Sequence, residues 1–452
     1  MDNSLIQYIE LYLQNRDTVN GNSAPALNAM RERAMEMLAS ASLPHTDTEG
    51  YERTSLRDMF APDYGVNIAR MNLPVDIAAS FRCDVPNLST LLGVVVNDSF
   101  HPVENLLQRL PEGVIYASLR QAALTYPDLV AKYYGSIAPL TTPSVALNTL
   151  LSQDGVMLYI PKGVRIEKPL QLVNIFSSPT PLAAFRRILI IVEDNASAQL
   201  LVCDHAQDDE QQYLSSQVVE ISLGANARFD FYDIEQSSEH TRRHSMLYAK
   251  QATGSNLLVN GMTLECGITR NEYSIDIHGD HAETTLAGMA IASGKQHIDN
   301  NSMVSHIGNS GHSTQLFKYV LDDEASGAFE GGILVTPEAK FTEAYQSDRN
   351  LLASRGAKMH TKPQLEIYND DVKCSHGATT GQLDSEALFY MRSRGIPEHE
   401  ARIMLMQAFM TDVIDTVRMD GLRERLHYLV DKRFQGGLRK CDSCKTSSCK
   451  LS

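Results

Sequence analysis

Tryptophan is absent from this 452-residue chain, cysteine occupies only seven positions, and no run of 18 apolar residues occurs. Each shortage removes a class of protein. Without such a run there is no membrane-spanning helix to assign. The start, Met1–Arg16, carries acids at Asp2 and Glu10 and lacks the basic segment that opens a secretory leader, so a cytoplasmic protein is expected. An odd number of cysteines, three of them close to the C-terminus, does not make a disulfide framework; they read as reduced thiols or metal ligands. Positive charge is also short, with 40 Lys and Arg against 55 Asp and Glu, a net charge of −15. With no local basic patch to offset that field, neither nucleic acid nor an anionic membrane is an expected partner. P-loop, GxGxxG, GxSxG and HExxH strings are missing too, so the chain reads as non-catalytic. What is present, 43% hydrophobic and 21% charged residues, suffices for a large buried core.

Three grammars follow one another. In the first, residues 1–150, Leu5, Ile6, Ile9 and Leu13 recur at helical spacing, and Ser23 with Pro25 opens a second helix carrying Leu27, Met30, Ala34, Met37 and Leu38. Tyr126–Tyr134 and Ser144–Leu151 are helical as well, Pro44, Pro62 and Pro139–Pro143 mark breaks, and Ser89–Val103 carries a mixed pattern. In the second, residues 151–381, short branched runs at Val156–Ile160, Leu170–Ile175, Ile188–Val192, Gln217–Ile221, Phe229–Tyr232, Ser245–Tyr248 and Leu257–Val259 predict strands of six residues or fewer. Turn words are centred near positions 195, 225, 254, 280 and 309, a loose but regular spacing, and further turns are expected at Gly327, Pro337–Ala339 and Arg355–Ala357. A period of this length marks stacked coils that cover one another's apolar faces. A parallel β-helix or a large sandwich fits it, a βαβ sheet does not because no helices intervene, and the β-helix is preferred. In the third, residues 382–436, Asp384 caps a helix over Ser385–Arg394, Gly395 stops it and Pro397 opens the next. There Ile403, Met406, Met410, Val413 and Val417 form a narrow seam, read first as buried against the chain's own helices and second as a partner groove. Residues 437–452 are a Cys-rich tail.

The sharpest local chemistry is Lys373-Cys374-Ser375-His376. A thiol and an imidazole two residues apart share one face of a strand, about 7 Å apart, and both donors suit iron, zinc or a sulfur species. Lys373 would favour the thiolate if it approached the sulfur. Cys441, Cys444 and Cys449, with Lys440, Lys445 and Lys450 beside them, would bind a metal only with a fourth ligand such as His427; the Ser/Lys/Asp composition favours a flexible tail with oxidisable thiols. Cys203 and Cys266 read as core residues, and Cys83 falls in ambiguous text. His278, His281, His297, His306 and His312 read as exposed turn histidines. Asp276 and Asp280, the acid pair a β-helix carbohydrate-active enzyme would use, read as turn-formers.

The string Thr361–Asp384, with Lys373-Cys-Ser-His-Gly-Ala-Thr379 at its centre, followed by Ala387–Ile396, resembles the SufD subunits of the SUF iron–sulfur cluster assembly system. Ala146–Asn148, Asp154-Gly155, Tyr159–Val164 and Lys168–Leu170 resemble the entry to the core shared by SufB and SufD proteins, and the likeness spans positions 100 to 436. It implies a mainly β fold, a right-handed parallel β-helix core flanked by N-terminal and C-terminal α-helical regions. It also implies a non-catalytic scaffold subunit whose β-helix end pairs with SufB by edge-strand addition and whose C-terminal helices contact the ABC-type ATPase SufC. Cys374 and His376 fall on the family's Cys and His at the SufB interface, where a transient Fe–S cluster or iron would be held; none is expected to stay on the isolated chain. A homodimer of the isolated chain stays open, and a SufB-type primary scaffold is the nearest alternative. The Cys-rich tail goes beyond the family pattern.

Overall fold

The structure, a computed structural model, describes residues 3–71, 75, 90–102 and 110–436. Its body is a parallel β-solenoid in which the chain alternates between two facing ten-stranded sheets, so that each strand pairs with the strand two places further along the sequence. The coil length is visible in the register: Ile268 pairs with His297 and His297 with Ser326, so each pairing marks one full circuit of the chain. Along one corner of the stack, one residue per coil adopts a left-handed conformation: Asn195, Asn226, Gly254, His281, Ser310 and Phe341 all have φ between 53° and 66°. Their amides point up the stack. Asn195 donates to Ala225 O, Asn226 to Thr253 O, Gly254 to Asp280 O, His281 to Asn309 O, Ser310 to Lys340 O and Phe341 to Asp371 O, at 2.7–2.9 Å. The turn period of the sequence is this ladder. Gly, Asn and His tolerate the left-handed region; Phe341 does not do so readily.

The strands between Leu182 and Leu352 run 9–11 residues, not six or fewer. The sequence pattern stops short because each strand continues through polar residues that are themselves buried. One lane of the interior is apolar, built from residues such as Ile190, Leu200, Val219, Phe229, Ile275 and Phe317. A second lane is charged and polar. Arg243 bonds Asp204 at 2.8 Å and also Asp233, and Arg186 meets Asp204 at 3.0 Å. Further along, Arg243 donates to Asn271, Asn271 to Asn300 (2.9 Å), and Asn300 to the Tyr319 hydroxyl (2.6 Å). Burying such groups is costly unless each finds a partner, so the lane fixes which residues face inward. Burial pushes Glu235 up to about 7, against the pull of Arg243 and the Thr269 hydroxyl.

The outer face of each sheet is clad by a different region. Asn3–Gln14 and Leu56–Phe60 lie over one sheet and bury Leu5, Tyr8, Ile9, Tyr12 and Phe60 with Phe185 and Leu214. Leu13 and Met37, expected on buried helix faces, are exposed. Tyr12 is two turns after Leu5 and returns to its side of the helix, whereas Leu13 is turned about 80° away. Thr54 and Tyr51 pin this region: Thr54 Oγ1 donates to Asp299 at 2.6 Å and Tyr51 OH to Glu272 at 2.9 Å. Over the other sheet, Glu398–Ile414 and Asp420–Phe434 bury Ile403, Met406, Met410, Val413, Leu422 and Leu426 against Tyr232, Leu258, Met262 and Met289. The methionine seam is therefore internal. Arg418 to Asp230 (2.6 Å) and Lys318 to Phe409 O (2.7 Å) clamp these helices to the sheet.

The two ends of the solenoid differ. At the first, Ser99–Pro102 pairs antiparallel with Leu91–Val96, and Ile115–Ser118 antiparallel with Val156–Ile160, so strands from the mainly helical N-terminal region close both sheets. At the second, Lys358–Ile367 and Lys373–Gln382 stand last in their sheets, with no further strand beyond them among the described residues. Gly327, expected in a turn, lies inside the strand Ser326–Val335.

Candidate functional site at the open end

The strand Lys373–Gln382 carries the Cys-x-His pair. Lys373 N donates to Thr342 O at 2.8 Å, which sets the alternation. The amides of Cys374, His376 and Ala378 then face the free side of the sheet. The Cys374 side chain turns inward, against Ile333, Val335, Ala339 and Ala344, and is half-buried. His376 shares that inward face by strand periodicity, and it is exposed because no coil covers it. A Cβ built at Gly377 or Gly381 meets nothing within 4 Å, so this strand presents bare backbone. Burial pushes the Cys374 thiol up. The condition for Lys373 to counter this is not met: it points to the opposite face and its Nζ bonds Glu343 at 2.9 Å.

In register beneath this strand lies Glu343–Leu352, which pairs Gln346 with His376, Asp348 with Ala378 and Asn350 with Thr380. Gln346, Asp348 and Asn350 face inward and are buried. Burial pushes Asp348 up to about 6. Sequence reasoning misses this Gln-x-Asp-x-Asn triplet; polar residues at every second position of a strand, in a region of stacked coils, are the signal that could have found it. Aromatic side chains crowd the same end: Phe341 is 66% exposed, Tyr368 62%, and on the helix Ser385–Ser393, which buries none of its residues, Phe389 is 73% exposed. Asp384 caps that helix, accepting from Glu386 N (2.9 Å) and Ala387 N (3.2 Å).

Among the described residues no three His, Cys, Asp or Glu side chains come together as a metal site. Cys374 and His376 stand there without a third such side chain beside them among the described residues. Cys441, Cys444, Cys449 and Cys83 lie outside the described residues. Cys203 and Cys266 are buried, as read. Of the five histidines read as exposed turn residues, only His278 and His281 are so. His306 is fully buried and bonds Ser313 Oγ at 2.8 Å, His297 bonds Thr54 and Ser326 at 2.9 and 2.8 Å, and His312 begins a strand. Their strands open or close with polar letters that resemble turn text. Asp280 lies in a turn and accepts Asn309 N of the next coil at 2.7 Å. A separate cleft of about 590 Å³ lies between Gly50–Arg53 and the outer face of the last strands, lined by Asp299, Glu330, His360 and Lys362. Among the described residues no helix is long and apolar enough to cross a membrane.

The chain belongs to the SufBD family of iron–sulfur cluster assembly proteins. The SUF system FeS cluster assembly SufBD core domain matches residues 175–409, and the SufBD protein N-terminal region matches residues 2–172. Within that family the chain is 29% identical over 442 residues to an iron–sulfur cluster assembly SufBD family protein of Synechocystis, covering 96% of this chain and 94% of that protein. It is 30% identical over 302 residues to the iron–sulfur cluster assembly protein SufD of Escherichia coli, covering 65% of this chain and 70% of that protein. To SufD of Bacillus subtilis it is 27% identical over 335 residues, 73% and 76% of the two chains.

Proposed function

We propose that the chain is a non-catalytic scaffold subunit in SUF iron–sulfur cluster assembly. Its open solenoid end pairs with a SufB-like partner, its C-terminal helices engage a SufC-like ABC ATPase, and Cys374 with His376 helps hold the nascent cluster or iron at the seam. The observation that supports this most is the juxtaposition of bare strand edge and incomplete donor pair at one place. An unpaired edge is a template for another strand, and adding one would bring further donors to the two already there. Iron and sulfide bind thiolate and imidazole tightly, so a site that must later release its cargo gains from few donors and an interface that opens. The exposed helix Ser385–Ser393, with Phe389 and Tyr390, gives the ATPase an apolar surface beside that seam.

The test is co-expression with SufB-like and SufC-like subunits. His376→Ala is expected to lower cluster yield severalfold while the complex still assembles, and an unchanged yield would sink the assignment. If the chain were instead a SufB-type primary scaffold, reconstitution of the isolated chain would give a stable iron–sulfur chromophore.

A further inference from the structure

The strands His297–His306, Ser326–Val335 and Lys358–Ile367 are in register, so that Asp299, Ala328 and His360 form one row across the outer face of their sheet. Neighbours in such a row stand about 5 Å apart. Ala328 carries only a methyl group, so the row is hollow at its centre, and the cleft of about 590 Å³ under Gly50–Arg53 opens over it. The strap above is pinned on both sides of Arg53. Tyr51 OH donates to Glu272 at 2.9 Å with the Arg270 guanidinium over its ring, and Thr54 Oγ1 donates to Asp299 at 2.6 Å. Between these anchors Arg53 is held where it lines the cleft. The charges there are unevenly answered. Asp299 has Arg270 at 2.6 Å, and Glu330 has Lys362 at 3.0 Å and the Gln364 amide at 3.1 Å. Glu49 and Glu52 also act on Lys362. His360 has the opposite surroundings: burial first, and then the charges of Arg53 and Lys358, push its imidazole below the ordinary value. Among the described residues no carboxylate stands within ion-pair distance of Arg53, Lys358 or His360. Like charges gathered over a hollow without a counter-charge disfavour one another and favour an incoming anion.

We propose that this cleft binds a small phosphate-bearing molecule, with the Arg53 guanidinium and the His360 imidazole holding its phosphate oxygens and Lys358 adding charge at the rim. A planar guanidinium donates two parallel hydrogen bonds to a phosphate, and a ring N–H donates a further one. The volume is that of a small-molecule site, and its walls are formed in advance, which lowers the ordering cost of binding. The acids gathered around Lys362 repel a second anionic group, so the phosphate is confined to the Arg53 side and the rest of the ligand is uncharged or basic. An extended polyanion is disfavoured by the net charge of −15. The assignment does not depend on the assembly role proposed above.

Inorganic pyrophosphate is titrated calorimetrically into the full-length chain in a phosphate-free buffer of low ionic strength near pH 7. One equivalent should bind. Arg53→Gln should weaken binding about tenfold or more, and His360→Gln severalfold. Both side chains are exposed, so neither variant should alter the melting temperature. Lys295→Gln, which removes an exposed charge at a coil corner outside the cleft, should bind as the parent does. A Cys374→Ser/His376→Ala double variant should also bind, which separates this site from the thiol and imidazole at the open end. Failure of the parent chain to bind, or equal binding by Arg53→Gln, overturns the proposal. An equal loss in Lys295→Gln and Arg53→Gln overturns it as well, since the attraction would then be diffuse.

Discussion

The closed and open ends of the solenoid are built from the same kind of coil and face opposite demands. At the closed end, antiparallel strands turn back and use up the backbone groups that a parallel stack leaves over, and helices Leu119–Thr125 and Pro127–Tyr133 pack on them. At the open end the last two strands have no further strand on those groups among the described residues, and the interior there carries a carboxylate without a counter-charge among them in place of the Arg–Asp pairs further up. A stack that could be sealed at both ends has been sealed at one.

The heaviest loss is expected upstream. Arg243→Ala leaves Asp204, Asp233 and Glu235 buried without their shared cation. It is expected to cost about 3–5 kcal/mol, read by urea denaturation. A loss under about 1 kcal/mol, the scale of an exposed pair, would mean that the polar lane does not hold the coils in register.

At the open end the contrast predicts separation of folding from assembly. The amide of Ala378 faces the free edge, so Ala378→Pro removes no internal hydrogen bond and should change stability by less than about 1 kcal/mol, while blocking strand addition by a partner. Co-purification with the partner should fall at least tenfold. Retained co-purification would show that the bare edge is not the contact.

Acid titration probes the upstream coils in a second way. Because burial raises Glu235 to about 7, the folded chain holds that proton more tightly than the unfolded chain does. Stability contributed through this group is therefore greatest below about pH 4.5 and declines as pH rises towards 7. Glu235→Gln should be nearly neutral at pH 5 and stabilising at pH 7.5, by at most about 3 kcal/mol. The same gain at both pH values would contradict the assignment.

A slighter change concerns Phe341, whose φ of 58° is unfavourable for a bulky residue. Phe341→Gly should relieve about 1 kcal/mol of backbone strain. If partner binding weakens in the same variant, the exposed ring has a use that offsets its cost.

How much of this can be read from the letters depends on which face a residue takes. The coil period is legible because Asn195, Asn226 and Gly254 are residues that enter the left-handed region readily, and the Asp384 cap and the methionine seam are legible for equally local reasons. Strand lengths are not. Arg243, Asn271 and Asn300 look like surface letters, and only the closing of coils around them shows that they are interior. For the same reason His306 reads as a turn residue. At the candidate site the Cys374/His376 pair is visible as a motif, whereas the Gln346-Asp348-Asn350 face is not, since its meaning comes from lacking a partner in three dimensions.

The ladder of corner amides constrains how such a chain can change length. Strand register and corner geometry recur together, circuit by circuit, from Ile268 to His297 and from His297 to Ser326. Gaining or losing one whole circuit would therefore leave every other rung matched, whereas a single-residue insertion within a strand would turn its arginines outward and its surface letters in. Growth by full circuits changes the distance between the sealed end and the bare one without altering either, so reach can vary while chemistry stays put.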